Sequence, residues 1–264
     1  MPEHRAHTAA DQPTHDLGDR RLRRLRTWNV ALTVLHAAQA AAVLLLAADF
    51  SIDVTTAYPV GPPGTRVPQA EAAFAVPIGL SIALFLGLAA LDHLVTGVLA
   101  RQRYERCLAR GVNPFRWVEY SVSATVMIGL IALYAGVVQV TALIAIVGAN
   151  VAMILFGWVQ ERSNPPGRGS ADMVPFWFGC IAGAAPWVVI TVNLVGAGEV
   201  PTFVLGIFFS LFAFFTSFAV NQWLQYRQVG PWRDYGFGEL VYLVLSLGAK
   251  SALAWQIFAG SLAA

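Results

Sequence analysis

Lysine occurs once in this chain, at Lys250, and charge of either sign is scarce. Asp, Glu, Lys and Arg make up 12% of the 264 residues, against 57% apolar residues. A soluble domain carries roughly 25% charge, so this scarcity indicates a membrane protein. Cysteine is nearly absent: Cys107 reads as a loop residue and Cys180 as a mid-membrane residue. That excludes a disulfide scaffold, and no His/Cys spacing suits a metal ion. No enzyme motif is present, and nothing suggests a nucleic-acid surface. The one dense basic stretch, Arg20 to Arg26, is more simply a topology signal facing anionic lipid. No cleavable signal peptide is expected, because the first apolar run begins late and lacks a small-residue cleavage pattern.

A spanning helix needs about 20 mostly apolar residues. Seven windows qualify: Trp28 to Ala48, Ala73 to Ala100, Phe115 to Val138, Thr141 to Val159, Val174 to Val195, Thr202 to Trp223 and Gly238 to Ala259. The shortest break falls near Gln139 to Ala142. It is needed because one helix from Phe115 to Val159 would reach roughly 65 Å, twice the hydrocarbon thickness. The expected architecture is an all-α seven-helix bundle, residues 28–264, behind a polar, disordered cytoplasmic tail, residues 1–27.

The arginines set the orientation. Fifteen lie in the tail or beside the even-numbered loops, and the opposite side carries only Arg66. The positive-inside rule places the N-terminus in the cytoplasm and the C-terminus outside the cell. The first external loop, Asp49 to Glu71, alternates Ile52, Val54, Thr56 and Tyr58 at period two before a Gly-Pro stretch. It reads as a short β-hairpin or as a linker without regular structure.

Lys250 lies well inside the last span, too far from either end to snorkel easily. A charge at that depth costs about 2.5–3.5 kcal/mol on insertion scales and marks a functional position. A primary amine can condense with an aldehyde, which no arginine does; the plainer reading is an ion pair that orients two helices. Ser246, one turn earlier, can hydrogen-bond the amine. Glu119 is the best counter-charge, with Ser123 and Met127 on its face, or else an interfacial acid paired with Arg116. Asp92 and His93 fall in the cytoplasmic half of span two, and Glu239 at the start of span seven reads as a structural N-terminal carboxylate. His36 and Gln39 share a face of span one. Such residues serve either as interhelical hydrogen-bond partners or, for His36 and His93 together, as a proton-accepting cluster. Asn150 is a further polar residue, in span four. Aromatics crowd spans five and six, Phe215 among them, and Trp255 follows the lysine. With Met153 they could wall a slot for a long apolar ligand.

The stretch from Arg116 to Ser121, RWVEYS, and the stretch from Ser246 to Trp255, SLGAKSALAW, resemble the heliorhodopsins. So do the inverted orientation and the long first external loop. The resemblance covers nearly the whole chain after the tail. It implies all-trans retinal on Lys250 as a protonated Schiff base, Glu119 as counterion, and a homodimer in the membrane. His36, Gln39, His93 and Asn150 match the family's polar positions, but Ala89 stands where family members carry a serine one turn before the span-two His. Light-driven proton pumps carry Asp at the position of Ser246 and a proton donor at the position of Leu130. Their absence favours a light sensor reporting to a cytoplasmic signalling partner. A light-driven or light-gated ion transporter is the second reading. The third is a non-photoactive solute transporter or receptor in which Lys250 binds an anionic ligand.

Overall fold

A computed structural model describes residue 15 and residues 17–166 and 170–263. Eight α-helices and one hairpin follow in order: α1 Gly18–Leu46, β1 Ser51–Thr56, β2 Glu71–Pro77, α2 Ile78–Leu94, α3 Arg101–Ala109, α4 Pro114–Tyr134, α5 Val140–Ser163, α6 Val174–Gly196, α7 Thr202–Tyr226 and α8 Tyr235–Ile257. One π-turn, Val95–Leu99, extends α2, and another, Phe258–Leu262, extends α8. Seven helices are long and apolar enough to cross a membrane; α3 is a short connector. The protein is therefore a multi-pass membrane protein.

Neighbouring spans pack side by side, and α8 returns to α1. The main core runs through the middle and the hairpin end, through Val43, Phe85, Ile128, Ile190 and Leu253. A smaller cluster of Leu25, Tyr104, Leu108, Tyr235 and Leu240 closes the arginine-rich end. Outward residues such as Leu45 (83% exposed) and Val195 (80%) remain apolar, as a lipid-facing surface requires.

The hairpin is present. Its strands are antiparallel, pairing Ser51 with Pro77 and Thr56 with Glu71, with an irregularity between Val54 and Thr55. Val54 is fully buried, and Thr55 N donates to Val138 O at 2.8 Å, which ties the hairpin to the turn between α4 and α5. That turn contains Gly136 at φ +83°, a left-handed conformation that glycine adopts at little cost.

Several helix boundaries differ from the sequence expectation by three residues or more. Span two starts at Ile78 rather than Ala73, because Ala73 to Val76 lie in strand β2 and Pro77 stands at the helix N-cap. Span one starts ten residues earlier than Trp28, at Gly18, and carries Arg20 to Arg26 on the same helix. Most of the expected disordered tail lies outside the described residues. Span four continues past Val159 to Ser163, which brings Glu161 inside the bundle. Span seven starts at Tyr235, where the Asp234 carboxylate accepts from Phe237 N at 3.3 Å as an N-cap.

Candidate functional site

Helix periodicity places Ser246 and Lys250 one above the other on the inward face of α8. Both are buried, at 3% exposure each. Lys250 Nζ donates to Ser246 Oγ at 2.8 Å. Across the bundle, Glu119 of α4 places Oε1 at 3.3 Å and Oε2 at 3.4 Å from the same nitrogen. The Tyr120 ring centroid is 5.0 Å from Nζ, within the range in which a cation is attracted to an aromatic face.

A cavity of about 300 Å³ opens from Lys250 between α4, α5, α6, α7 and α8. Met127, Met153, Trp187, Phe212 and Phe215 form much of its apolar wall, and Ser246 and Lys250 are among its few polar groups. Trp187 packs edge-on against Phe212 and Phe215, with centroids 5.2 and 5.5 Å away. Gly183 keeps the wall thin, since a Cβ there would run into the Met153 side chain. Size and lining suit an elongated apolar ligand with one polar end.

Other expected site residues lie elsewhere. Ser123 is buried, and Asn150 Nδ2 donates to Thr125 Oγ1 at 3.0 Å; neither lines the cavity. Trp255 is 38% exposed and points its Nε1 at Gln39 Oε1, 3.0 Å away. It belongs to the contact between α1 and α8 rather than to the cavity wall. His36 and His93 stack in parallel with centroids 5.6 Å apart. His93 Nδ1 donates to Asn29 Oδ1 at 2.8 Å, while both His36 nitrogens lack a hydrogen-bond partner among the described residues. Gln39 is engaged with Trp255 instead of with the histidines.

Sequence reasoning missed a second polar assembly, one turn beyond Glu119. Arg116 does not pair with Glu119. Its guanidinium bridges Glu161 of α5 and Glu239 of α8, all three at 5% exposure or less. Trp117 Nε1 and Asn113 N donate to Glu161 Oε2 at 2.6 and 2.8 Å, and Asn113 Nδ2 donates to Glu239 Oε2 at 2.7 Å. The guanidinium also lies 3.8 Å from the Tyr242 ring centroid and 4.6 Å from that of Trp117. Glu239 is thus a member of a buried network and more than a terminal carboxylate. Glu161 follows the end of the apolar run, so its sequence position reads as interface; no local pattern marks it as buried.

A seven-helix bundle with a buried lysine–carboxylate pair at one end of an apolar slot is that of the microbial-type rhodopsins. Solved structures agree on the fold. Exiguobacterium sibiricum rhodopsin superposes with a TM-score of 0.62 at 15% identity, over 90% of this chain and 95% of that one. Cyanorhodopsin N4075R from Tolypothrix sp. NIES-4075 gives 0.59 at 16% identity, over 94% and 95%. The light-driven proton pump LR (Mac) from Leptosphaeria maculans gives 0.57 at 14% identity, over 94% and 96%. No curated protein matches the sequence. The chain belongs to the heliorhodopsin family, whose model matches residues 25–262. It is accordingly a retinal-binding photoreceptor of the membrane.

Proposed function

We propose that this protein is a light sensor in which Lys250 holds the chromophore covalently and Glu119 is its counterion. The observation that carries the reading is the Lys250–Glu119 contact of 3.3 Å, with Lys250 itself lining the apolar cavity. Retinal, when bound, supplies a polyene that absorbs visible light and isomerises from all-trans to 13-cis. The residues do the rest. Lys250 Nζ provides the amine to which the aldehyde end attaches. Glu119 balances a positive charge on that nitrogen. Ser246 Oγ orients the nitrogen. Met127, Met153, Trp187 and Phe215 exclude water and hold the polyene.

Signalling is favoured over pumping because a vectorial path is poorly supplied with carboxylates. Ser246 and Leu130 occupy positions where pumps carry acidic groups, and Leu130 is buried in the apolar core. A proton released from the nitrogen stays among polar groups at the arginine-rich end, which include His36 and His93. By the positive-inside rule that end, with the N-terminus, faces the cytoplasm and the signalling partner. A homodimer is carried over from the family resemblance.

The test is a visible spectrum. Protein made with all-trans retinal should be coloured, Lys250→Ala should be colourless, and borohydride reduction should leave a mass adduct on Lys250. A coloured Lys250→Ala protein would falsify the attachment. Illuminated cells should show no photocurrent and no pH change; a sustained current would instead identify a transporter.

A further inference from the structure

Behind Glu119 lies a second, much smaller cavity of about 20 Å³, polar and roomy enough for one water molecule. The rings of Tyr120 and Tyr242 line both cavities, so they form the partition between the chromophore slot and this chamber. Besides Glu119, Arg116 and the two partition tyrosines, the titratable residues lining the chamber are Asp92 and His93 from α2, Glu239 from α8 and Tyr104 from α3. Their commitments differ. Glu239 is held by Arg116 and Asn113. His93 presents Nδ1 to Asn29 and stacks on His36 of α1. Tyr104 is a neutral phenol and a poor acceptor near neutral pH. Asp92 is different: its carboxylate has no hydrogen bond or ion pair among the described residues. Only its main-chain carbonyl is engaged, by Thr96 Oγ1 at 2.9 Å.

A carboxyl group in a membrane span without a paired cation is a functional position by default. A proton that moved only from the Lys250 nitrogen to Glu119 would sit 3.3 Å from its origin, within direct reach of return. A second base beyond Glu119 would keep the nitrogen deprotonated for longer. Resting on the reading that Lys250 carries the chromophore, we propose that Asp92 is this base, the terminal acceptor of the proton released by light. The N–H bond at the Lys250 nitrogen breaks, Glu119 passes the proton across the chamber, and an O–H bond forms on Asp92. The nitrogen and Asp92 end neutral, and Glu119 is ionised again. The reverse transfer in the dark restores the start, so nothing crosses the membrane. His93 lines the same chamber and stacks on His36; the pair stabilises the new state without receiving the proton first.

Light-minus-dark infrared spectra of the retinal-loaded protein test this. Asp92 is the sole aspartate deep within a span, so carboxyl-¹³C aspartate should shift the C=O band that appears with the deprotonated state, and ¹³C glutamate should not. Asp92→Asn should remove the band and slow proton departure about 100-fold, the usual worth of a positioned acid–base group. Asp92→Glu should restore both. A band that ignores the aspartate label, or persists in Asp92→Asn, overturns the assignment while the coloured protein leaves Lys250 in place. If Asp92→Asn does not fold, the labelled natural chain decides alone. A colourless natural chain would remove the chromophore reading and this inference together.

Discussion

Arg116 and Glu119 stand three residues apart on α4, yet each turns its charge to a different partner. Glu119 faces Lys250 of α8, and Arg116 faces Glu161 of α5 and Glu239 of α8. One helix thereby divides the polar interior into a site of chemistry and a site of structure.

The division gives Glu119 a spectral role. Excitation moves positive charge away from the Lys250 nitrogen, so a nearby anion lowers the ground state more than the excited state. Glu119→Gln should red-shift the absorption maximum. An unchanged spectrum in Glu119→Gln would remove Glu119 from the counterion position.

Arg116 answers two buried carboxylates at once. Removing one partner of a buried ionic group leaves uncompensated charge and costs about 3–5 kcal/mol. Arg116→Ala should therefore lower the temperature at which the colour is lost. Arg116→Lys should recover little of it, because a compact ammonium cannot span both carboxylates while stacking on Tyr242. A lysine variant as heat-stable as the natural chain would contradict the bridging geometry.

Gly157 packs under Trp117. A Cβ at that position would lie 2.5 Å from the indole carbons Cη2 and Cζ3. Gly157→Ala must shift the ring that donates to Glu161, and overpacking of this kind costs about 1–3 kcal/mol. Gly87→Ala is the control, since its Cβ meets nothing within 4 Å. It should be neutral or gain up to about 1 kcal/mol of helix propensity. Thermal bleaching of the two variants side by side checks the contrast.

His15 supplies a pH dependence at the arginine-rich end. Its ring stacks on Tyr235 at 5.0 Å, and its backbone N donates to Ala109 O at 2.7 Å. Burial holds its pKa below the ordinary 6.5, and nearby Asp234 opposes the shift without cancelling it. The folded state prefers the neutral ring, so the stability it contributes is present above pH 6.5. That contribution is lost as the pH falls from 6.5 through the depressed folded value. The protection factor of the His15 amide, its exchange corrected for the intrinsic rate at each pH, should fall on acidification over that range, and His15→Phe should abolish the fall. A protection factor that is flat with pH in the natural chain would show that the stack does not depend on ring charge.

Much of the architecture was legible because lipid enforces a simple rule: the backbone must satisfy its own hydrogen bonds, so long apolar runs become helices. The seven spans, the hairpin and the approach of Glu119 to Lys250 follow from run lengths, period-two alternation and the scarcity of intramembrane charge. Glu161 was not legible. Its neighbours Gln160 and Arg162 are polar, and polarity at the end of an apolar run ordinarily marks the water boundary. Gln160 Oε1 accepts from Phe176 N at 3.0 Å, so this polar end is sealed by α6 rather than by water. Trp255 misled for a related reason. Nearness to Lys250 in sequence is not nearness in azimuth: five residues turn a helix about 140° past a full turn, to the face of α8 that meets Gln39.

The amino-acid sequence alone determined the number of spans, which residues carry charge within them, and the family to which the chain belongs. Tertiary structure alone decided which charges meet. Arg116 could reach Glu119, Glu161 or Glu239, and the choice depends on the rotation and depth of α4, α5 and α8 against one another. Those are set by packing of side chains distant in sequence, such as Trp117 against Gly157, and no local pattern encodes them.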